Sequence, residues 1–134
     1  MTGAASEPLP IHSEEDVVRV RHAVRALAVA VRFSLVEQTK LVTAASELAR
    51  NTLVHGGGGV ARLERVEGGG RVGLRMTFED QGPGIPDVGR ALQDGFTTGS
   101  GLGLGLGGSK RLVGEFQIDS TPGVGTRVTA TKWK

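Results

Sequence analysis

The chain has 134 residues, of which 22% are charged, and a net charge of +2 at pH 7, so one soluble domain accounts for it. It has no cysteine, which excludes disulfides and thiolate metal sites and suits a cytoplasmic location. It also lacks a Lys/Arg run and an apolar run of roughly 20 residues, so neither nucleic acid nor a membrane is expected as a partner. The composition does not indicate an oligomeric state.

The first part of the chain predicts a short strand and two helices. Residues 1–8 are polar and are expected to be disordered, while residues 9–11 can form an edge strand. Ser13 and the three acidic residues after it are typical of a helix start, and apolar residues spaced three and four apart extend that helix to about residue 32. Ser34 can begin a second helix, which ends at the glycines after His55.

The second part predicts two strand pairs separated by a glycine-rich loop. Two strands, at 60–67 and 71–79, flank a glycine turn, and strands at 117–121 and 127–133 flank a second turn. Short helices are expected at 88–92 and 109–116. The fold class is therefore α+β, a two-layer α/β sandwich over residues 9–134 with a mixed, mostly antiparallel sheet and helices on one face. A long loop inside a compact domain is usually functional, so we interpret residues 88–108 as a lid.

Glu47 and Asn51 are four residues apart on the second predicted helix, in the motif SELARN (46–51), and share one face. A carboxylate is a possible base, and a carboxamide oxygen is a ligand that suits Mg²⁺. Taken alone, however, such a pair is more typical of a solvated helix face.

Asp80 ends a predicted strand and begins the motif DQGPGI (80–85). Its carboxylate could accept the exocyclic amino group of adenine and would repel the carbonyl oxygen of guanine. When the motif is considered by itself, an ordinary turn residue is the better explanation.

The motif GLGLGLGG (101–108) alternates glycine with leucine. A flexible linker would carry serine or asparagine instead of leucine. The alternation favours backbone N–H groups that approach a ligand, with apolar side chains closing over it. A helix that begins near Ser109 would direct its positive end toward phosphates.

In this order the three motifs resemble the N, G1 and G2 boxes of the GHKL superfamily of ATPases and kinases. The stretches ASELARNTLVHGGGG, EDQGPGIPD, DGFTTGSGLGLGLGGSKRL and GVGTRVTATKW look most like the RsbT branch of switch kinases, which regulate bacterial sigma factors. The resemblance covers residues from about 10 to 133 and implies a Bergerat-type fold with ATP and Mg²⁺ as cofactors.

Carried over by position, the resemblance implies a general base at Glu47, a Mg²⁺ ligand at Asn51 and an acceptor for the adenine amino group at Asp80. It further implies that Gly82 and Gly84 shape the purine pocket and that Gly101, Gly103 and Gly105 form the lid over the phosphates. It places the hydroxyl of Thr126 near the adenine, and Arg50 and Lys110 as cations that offset phosphate charge.

The resemblance also implies a function. RsbT-like kinases phosphorylate Ser or Thr on STAS-domain antagonist and scaffold proteins, and after release they bind and activate a PP2C-type phosphatase. Two alternatives are an anti-sigma factor that uses ATP to choose its partner and a detached catalytic domain of a histidine kinase. The SELARN stretch and the TKW ending favour the kinase over the anti-sigma factor, and no phosphoacceptor helix is evident in the sequence.

Overall fold

The fold is taken from a computed structural model of the chain, which describes residues 8–85 and 106–134. In chain order the described elements are β1 (Leu9–Ile11), α1 (Glu14–Val31), α2 (Leu35–Val54), β2 (Gly59–Gly68), β3 (Arg71–Asp80), α3 (Leu106–Val113), β4 (Glu115–Thr121) and β5 (Gly125–Trp133). The predicted disorder at the N-terminus, the short helix at 88–92 and most of the lid lie outside the described residues.

The five strands form one sheet in the order β1-β2-β3-β5-β4. All four neighbouring pairs are antiparallel. The predicted α+β class is confirmed, and residues 9–11 form the edge strand that the sequence indicates. Gly69 and Gly70 both have positive φ, 57° and 77°, as a two-residue type I′ hairpin turn requires.

The hydrophobic core lies between one face of this sheet and the helices. On β3 the alternate residues Leu74, Met76 and Phe78 are at most 2% exposed. They belong to one cluster with buried residues of α1 and α2, among them Val17, Val20, Val24, Ala28, Leu41, Ala44, Ala45 and Leu48. Side chains two apart on the strand and three to four apart on the helices therefore pack into a single core.

The opposite face of the sheet carries mostly polar side chains, with Trp133 at one end of it. The Trp133 ring lies against Gly73 on the neighbouring strand, and its indole N–H donates to the Glu115 carboxylate. The Arg71 guanidinium carbon is 5.8 Å from the ring centroid, a distance at which a cation–π interaction is favourable. Glycine at position 73 makes room for the ring.

Helix α3 begins three residues earlier than the sequence predicts, at Leu106, and ends at Val113. Phe116, predicted as helical, lies in β4 instead. Gly114 has a φ of 101°, which only glycine adopts readily, and it ends the helix. The helix includes two glycines because packing places it: Leu106 and Ser109 are 2% and 1% exposed. Tertiary contacts here outweigh local propensity.

Across residues 8–85 and 106–134, no helix combines the length and the apolar character that a membrane crossing requires.

Helix α1 begins at the predicted cap. The Ser13 hydroxyl accepts a hydrogen bond from the Asp16 N–H at 3.2 Å, and the Asp16 carboxylate accepts one from the His12 N–H at 2.8 Å. The hydrogen bond from the His12 N–H is the main cause of a lowered pKa of Asp16. Partial burial raises this pKa, and the positive charge of Arg19 lowers it further. Asp16 thus stabilises the helix start in its charged form.

We expect Asp16→Asn to lower the unfolding temperature at neutral pH and to flatten its acid dependence. Because the folded-state pKa of Asp16 is lowered, its contribution is complete above the unfolded pKa of about 4 and is lost as the pH falls through the folded pKa. Thermal unfolding followed from about pH 7 to about pH 2 measures this. Glu15→Gln is the control, since the Glu15 side chain is 87% exposed. Parallel curves for wild type and Asp16→Asn would contradict the prediction.

Candidate functional site

The C-terminal end of α2 and the C-terminal end of β3 meet at two glycines. A Cβ atom added to Gly56 would lie 2.6 Å from Oδ2 of Asp80, and one added to Gly82 would lie 2.7 Å from Cα of Gly56. Both distances are shorter than any ordinary contact. The absence of side chains at these two positions therefore lets the Asp80 carboxylate lie directly beside the end of α2.

Asp80 is half-buried and its orientation is fixed by the backbone that follows it. Its Oδ1 accepts a hydrogen bond from the Gly82 N–H at 2.9 Å. On β5 the residue opposite Asp80 is Thr126. The carboxylate and this hydroxyl therefore lie side by side at one end of the sheet.

A narrow pocket lies between α2, the sheet and α3. Its apolar walls are formed by Leu48, Phe78, Ile85, Leu106 and Val128. Its polar part is formed by Asn51, Thr52, His55, Asp80 and Thr126. Its space of about 20 Å³ holds about one water molecule. A purine is larger than that, so a nucleotide needs a wider opening than this space provides.

The face of α2 that reaches the pocket carries the predicted carboxylate and carboxamide. Asn51 is half-buried and lines the pocket, whereas Glu47, one turn earlier, is exposed and lies outside it. The helix therefore directs the Asn51 amide toward the pocket and leaves the Glu47 carboxylate exposed to solvent. The i, i+4 spacing in SELARN predicts this shared face.

Thr126 is 9% exposed, and a second hydroxyl supports it. Its Oγ1 is 2.9 Å from the Ser120 Oγ, which in turn accepts a hydrogen bond from the Ile85 N–H at 2.7 Å. The Ser120 Oγ is also 3.3 Å from the carbonyl of Gly125. Since Ser120 can give its proton either to that carbonyl or to Thr126, the Thr126 hydroxyl can serve a ligand as acceptor or as donor.

The structure brings Asn51, Asp80 and Thr126 together around one pocket. Gly84 instead packs on the turn between β4 and β5: an added Cβ would lie 2.6 Å from the carbonyl oxygen of Thr121. Gly101, Gly103 and Gly105, predicted to form the phosphate lid, lie outside the described residues.

The two predicted cations differ in what they contact. Arg50 is exposed, and its guanidinium lies 3.5 Å from the Glu14 carboxylate on α1. It is thus engaged with another helix in this structure. Lys110 is exposed on α3. A role for either in offsetting phosphate charge stays a prediction.

Two residues of the site, His55 and Ser120, were not assigned a role from the sequence. His55 lines the pocket, and its Nε2 is buried without a hydrogen-bond partner. A buried nitrogen in that state costs free energy unless a ligand or water satisfies it. The position of His55 one turn after Asn51 is the signal that could have identified it; Ser120 had no such signal, because only the register of β4 on β5 places it beside Thr126.

Among the residues that the structure describes, no group of three or more His, Cys, Asp or Glu side chains could hold a metal ion.

Comparison with known proteins gives one family match and several similar chains. Residues 36–134 match the family model described as histidine kinase-, DNA gyrase B-, and HSP90-like ATPase. The serine/threonine-protein kinase RsbT of Bacillus subtilis is 46% identical over 123 residues, which are 92% of each chain. An anti-sigma F factor of Thermoanaerobacter is 30% identical over 84% of this chain and 82% of its own.

One solved structure shares the fold. It contains the RsbU and RsbW domains of a Mycobacterium tuberculosis protein, with a TM-score of 0.61 and 23% identity. The match covers 95% of this chain but only 32% of that longer one. At this identity the likeness concerns the fold alone.

We expect Gly56→Ala to lower stability by about 1–3 kcal/mol, because the new methyl group displaces the Asp80 carboxylate. Gly108→Ala is the matched control: nothing lies within 4 Å of an added Cβ there, and alanine favours a helix by up to about 1 kcal/mol. Thermal unfolding of both variants measures the difference. Equal unfolding temperatures for the two would show that position 56 does not require glycine.

Proposed function

We propose that this chain, which belongs to the family of histidine kinase-, DNA gyrase B- and HSP90-like ATPases and is a serine/threonine-protein kinase of the RsbT type, acts in a bacterial partner-switching pathway in the cytoplasm. Its substrates would be STAS-domain antagonist or scaffold proteins. After release from them it would bind and activate a PP2C-type phosphatase.

One observation carries the proposal: residues from three separate motifs line one pocket. Asn51 comes from the N box, Asp80 from the G1 box, and Thr126 from β5, and each matches a position to which the resemblance assigns nucleotide contact. The identity of 46% with a kinase, against 30% with an anti-sigma factor, supports phosphotransfer as the activity.

Asp80 would select adenine. Its ionised carboxylate only accepts hydrogen bonds, so it suits the amino group of adenine and opposes the carbonyl oxygen of guanine. The Gly82 N–H already holds one oxygen, which orients the group before a base arrives. The Thr126 hydroxyl, next to it across the strands, adds a contact of either polarity.

Asn51 fits a Mg²⁺ role. Mg²⁺ keeps several waters and binds nucleotide phosphates, so one amide oxygen from the protein is enough. When bound, Mg²⁺ offsets the negative charge of the phosphates.

Glu47 would accept the proton of the attacking hydroxyl. It lies on the same face of α2 as Asn51, one turn away and exposed, where the side chain of a protein substrate can reach it. Proton transfer to a positioned carboxylate and alignment of the hydroxyl are what such a residue supplies to phosphoryl transfer.

The second candidate function is that of an anti-sigma factor whose partner choice depends on ATP. The anti-sigma F factors at about 30% identity favour it. It requires nucleotide binding but not the base at Glu47, so the two functions make different demands on this one residue.

We expect Glu47→Ala to bind ATP within roughly twofold of wild type and to lose phosphotransfer by about 100-fold or more. Labelled ATP with Mg²⁺ and candidate STAS-domain proteins gives the phosphotransfer rate, and calorimetric titration gives the affinity. A Glu47→Ala protein that phosphorylates a STAS partner at the wild-type rate would refute the base assignment. Stable capture of a sigma factor without phosphorylation of any STAS protein would favour the second function.

We expect Asp80→Asn to weaken ATP binding at least about tenfold, since a hydrogen bond to a charged group contributes about 1.5–3 kcal/mol. The same variant should discriminate less between ATP and GTP. Titration of both nucleotides measures these effects, with Asp119→Asn, an exposed carboxylate on β4, as the control. Wild-type affinity for ATP in Asp80→Asn would remove Asp80 from the site.

A further inference from the structure

The Lys132 side chain lies where three elements meet. It projects from β5, is 12% exposed, and its Nζ lies 2.7 Å from Oε2 of Glu37 in the first turn of α2. The same Nζ donates a hydrogen bond to the carbonyl oxygen of Leu112, in the last turn of α3, at 3.1 Å. One ammonium group thus connects the start of α2, the end of α3 and the sheet.

The bond to Leu112 suits the end of a short helix. The last carbonyls of a helix lack partners within the helix, and a cation at that end also complements the helix dipole. With eight residues, α3 is too short to be stable alone, so contacts from outside determine where it lies.

The other end of α3 is part of the nucleotide pocket. Leu106, its first residue, is 2% exposed and lines the same pocket as Asn51 and Asp80. The distance along the helix from Leu106 to Leu112 is about 9 Å. Because the pocket has room for only about one water, even a small shift of this helix changes its shape.

We infer that Lys132 is a positioning residue for nucleotide binding: it holds α3, and with it the Leu106 wall of the pocket, against α2. This inference rests on the proposed function, since it assumes that the pocket binds ATP.

A role in stability alone would not require this arrangement. Glu37 already has a second cation, Lys40, at 3.8 Å on the exposed side of α2. A buried ion pair is also weak evidence for net stability, because desolvation offsets much of the attraction. The hydrogen bond from Lys132 lowers the pKa of Glu37 and so favours its charged form, but the contact of Lys132 with α3 goes beyond that pair.

The test compares Lys132→Met with Lys40→Met, at a temperature where unfolding curves show both proteins folded. Without the tether, α3 is in its binding position for a smaller fraction of the time, and the apparent affinity falls by that fraction. We expect ATP to bind about three- to tenfold more weakly to Lys132→Met and within roughly twofold of wild type to Lys40→Met. Hydrogen exchange should rise in residues 106–114 of Lys132→Met, without a matching rise in α1, and fall again when ATP is added.

Glu37→Gln removes the negative charge beside Lys132 but keeps both hydrogen bonds, because the amide oxygen still accepts from Nζ and the bond to Leu112 remains. It should keep wild-type affinity for ATP. If Lys132→Met does not fold, the double variant Lys132→Met/Glu37→Met also removes the carboxylate that Lys132 contacted and is measured in its place.

Wild-type affinity for ATP in a folded variant without Lys132 would overturn the inference, as would faster exchange spread evenly over the chain. Asp80→Asn distinguishes this failure from that of the proposed site. If Asp80→Asn loses ATP and Lys132→Met does not, only the role of Lys132 is wrong. If neither loses ATP, the pocket is not the nucleotide site.

Discussion

The close approach of Gly56 and Gly82 beside the Asp80 carboxylate is the constraint on which the site depends. It brings the end of a helix and the end of a strand nearer than any side chain at either glycine would allow. The amide of Asn51, one turn before the helix end, then lies in the same pocket as the carboxylate. A pocket lined by residues from distant parts of the sequence thus depends on the absence of side chains at two glycines.

Local patterns predicted most of the fold. Ser13 and Ser34 cap the long helices as expected, because a short polar side chain at a helix start satisfies backbone groups by itself. The start of α3 was wrong by three residues, since Leu106 and the glycines after it are helical only through their packing. Single-sequence patterns carry no information on such contacts.

The site was predictable to the extent that its residues come in periodic or punctuated motifs. Two local patterns identified candidate residues there: the four-residue spacing of Glu47 and Asn51, and the glycines that follow Asp80. Ser120 was missed because its position beside Thr126 follows from pairing between β4 and β5, which local sequence does not specify. Lys132 was missed for the same reason. In the sequence it resembles any charged residue near a chain end, and only the fold shows the three elements around it.

The exposed face of the sheet has a consequence for how the protein can be observed. Trp133 is the single tryptophan of the chain, and it lies on that face opposite Gly73. Gly73 and Asp80 are seven positions apart on β3, a distance of about 23 Å along the strand. The indole is therefore an intrinsic fluorophore that senses the sheet and the arginine above it, on the side of the molecule away from the pocket. Its emission follows unfolding of the sheet, while events at the pocket need a separate probe.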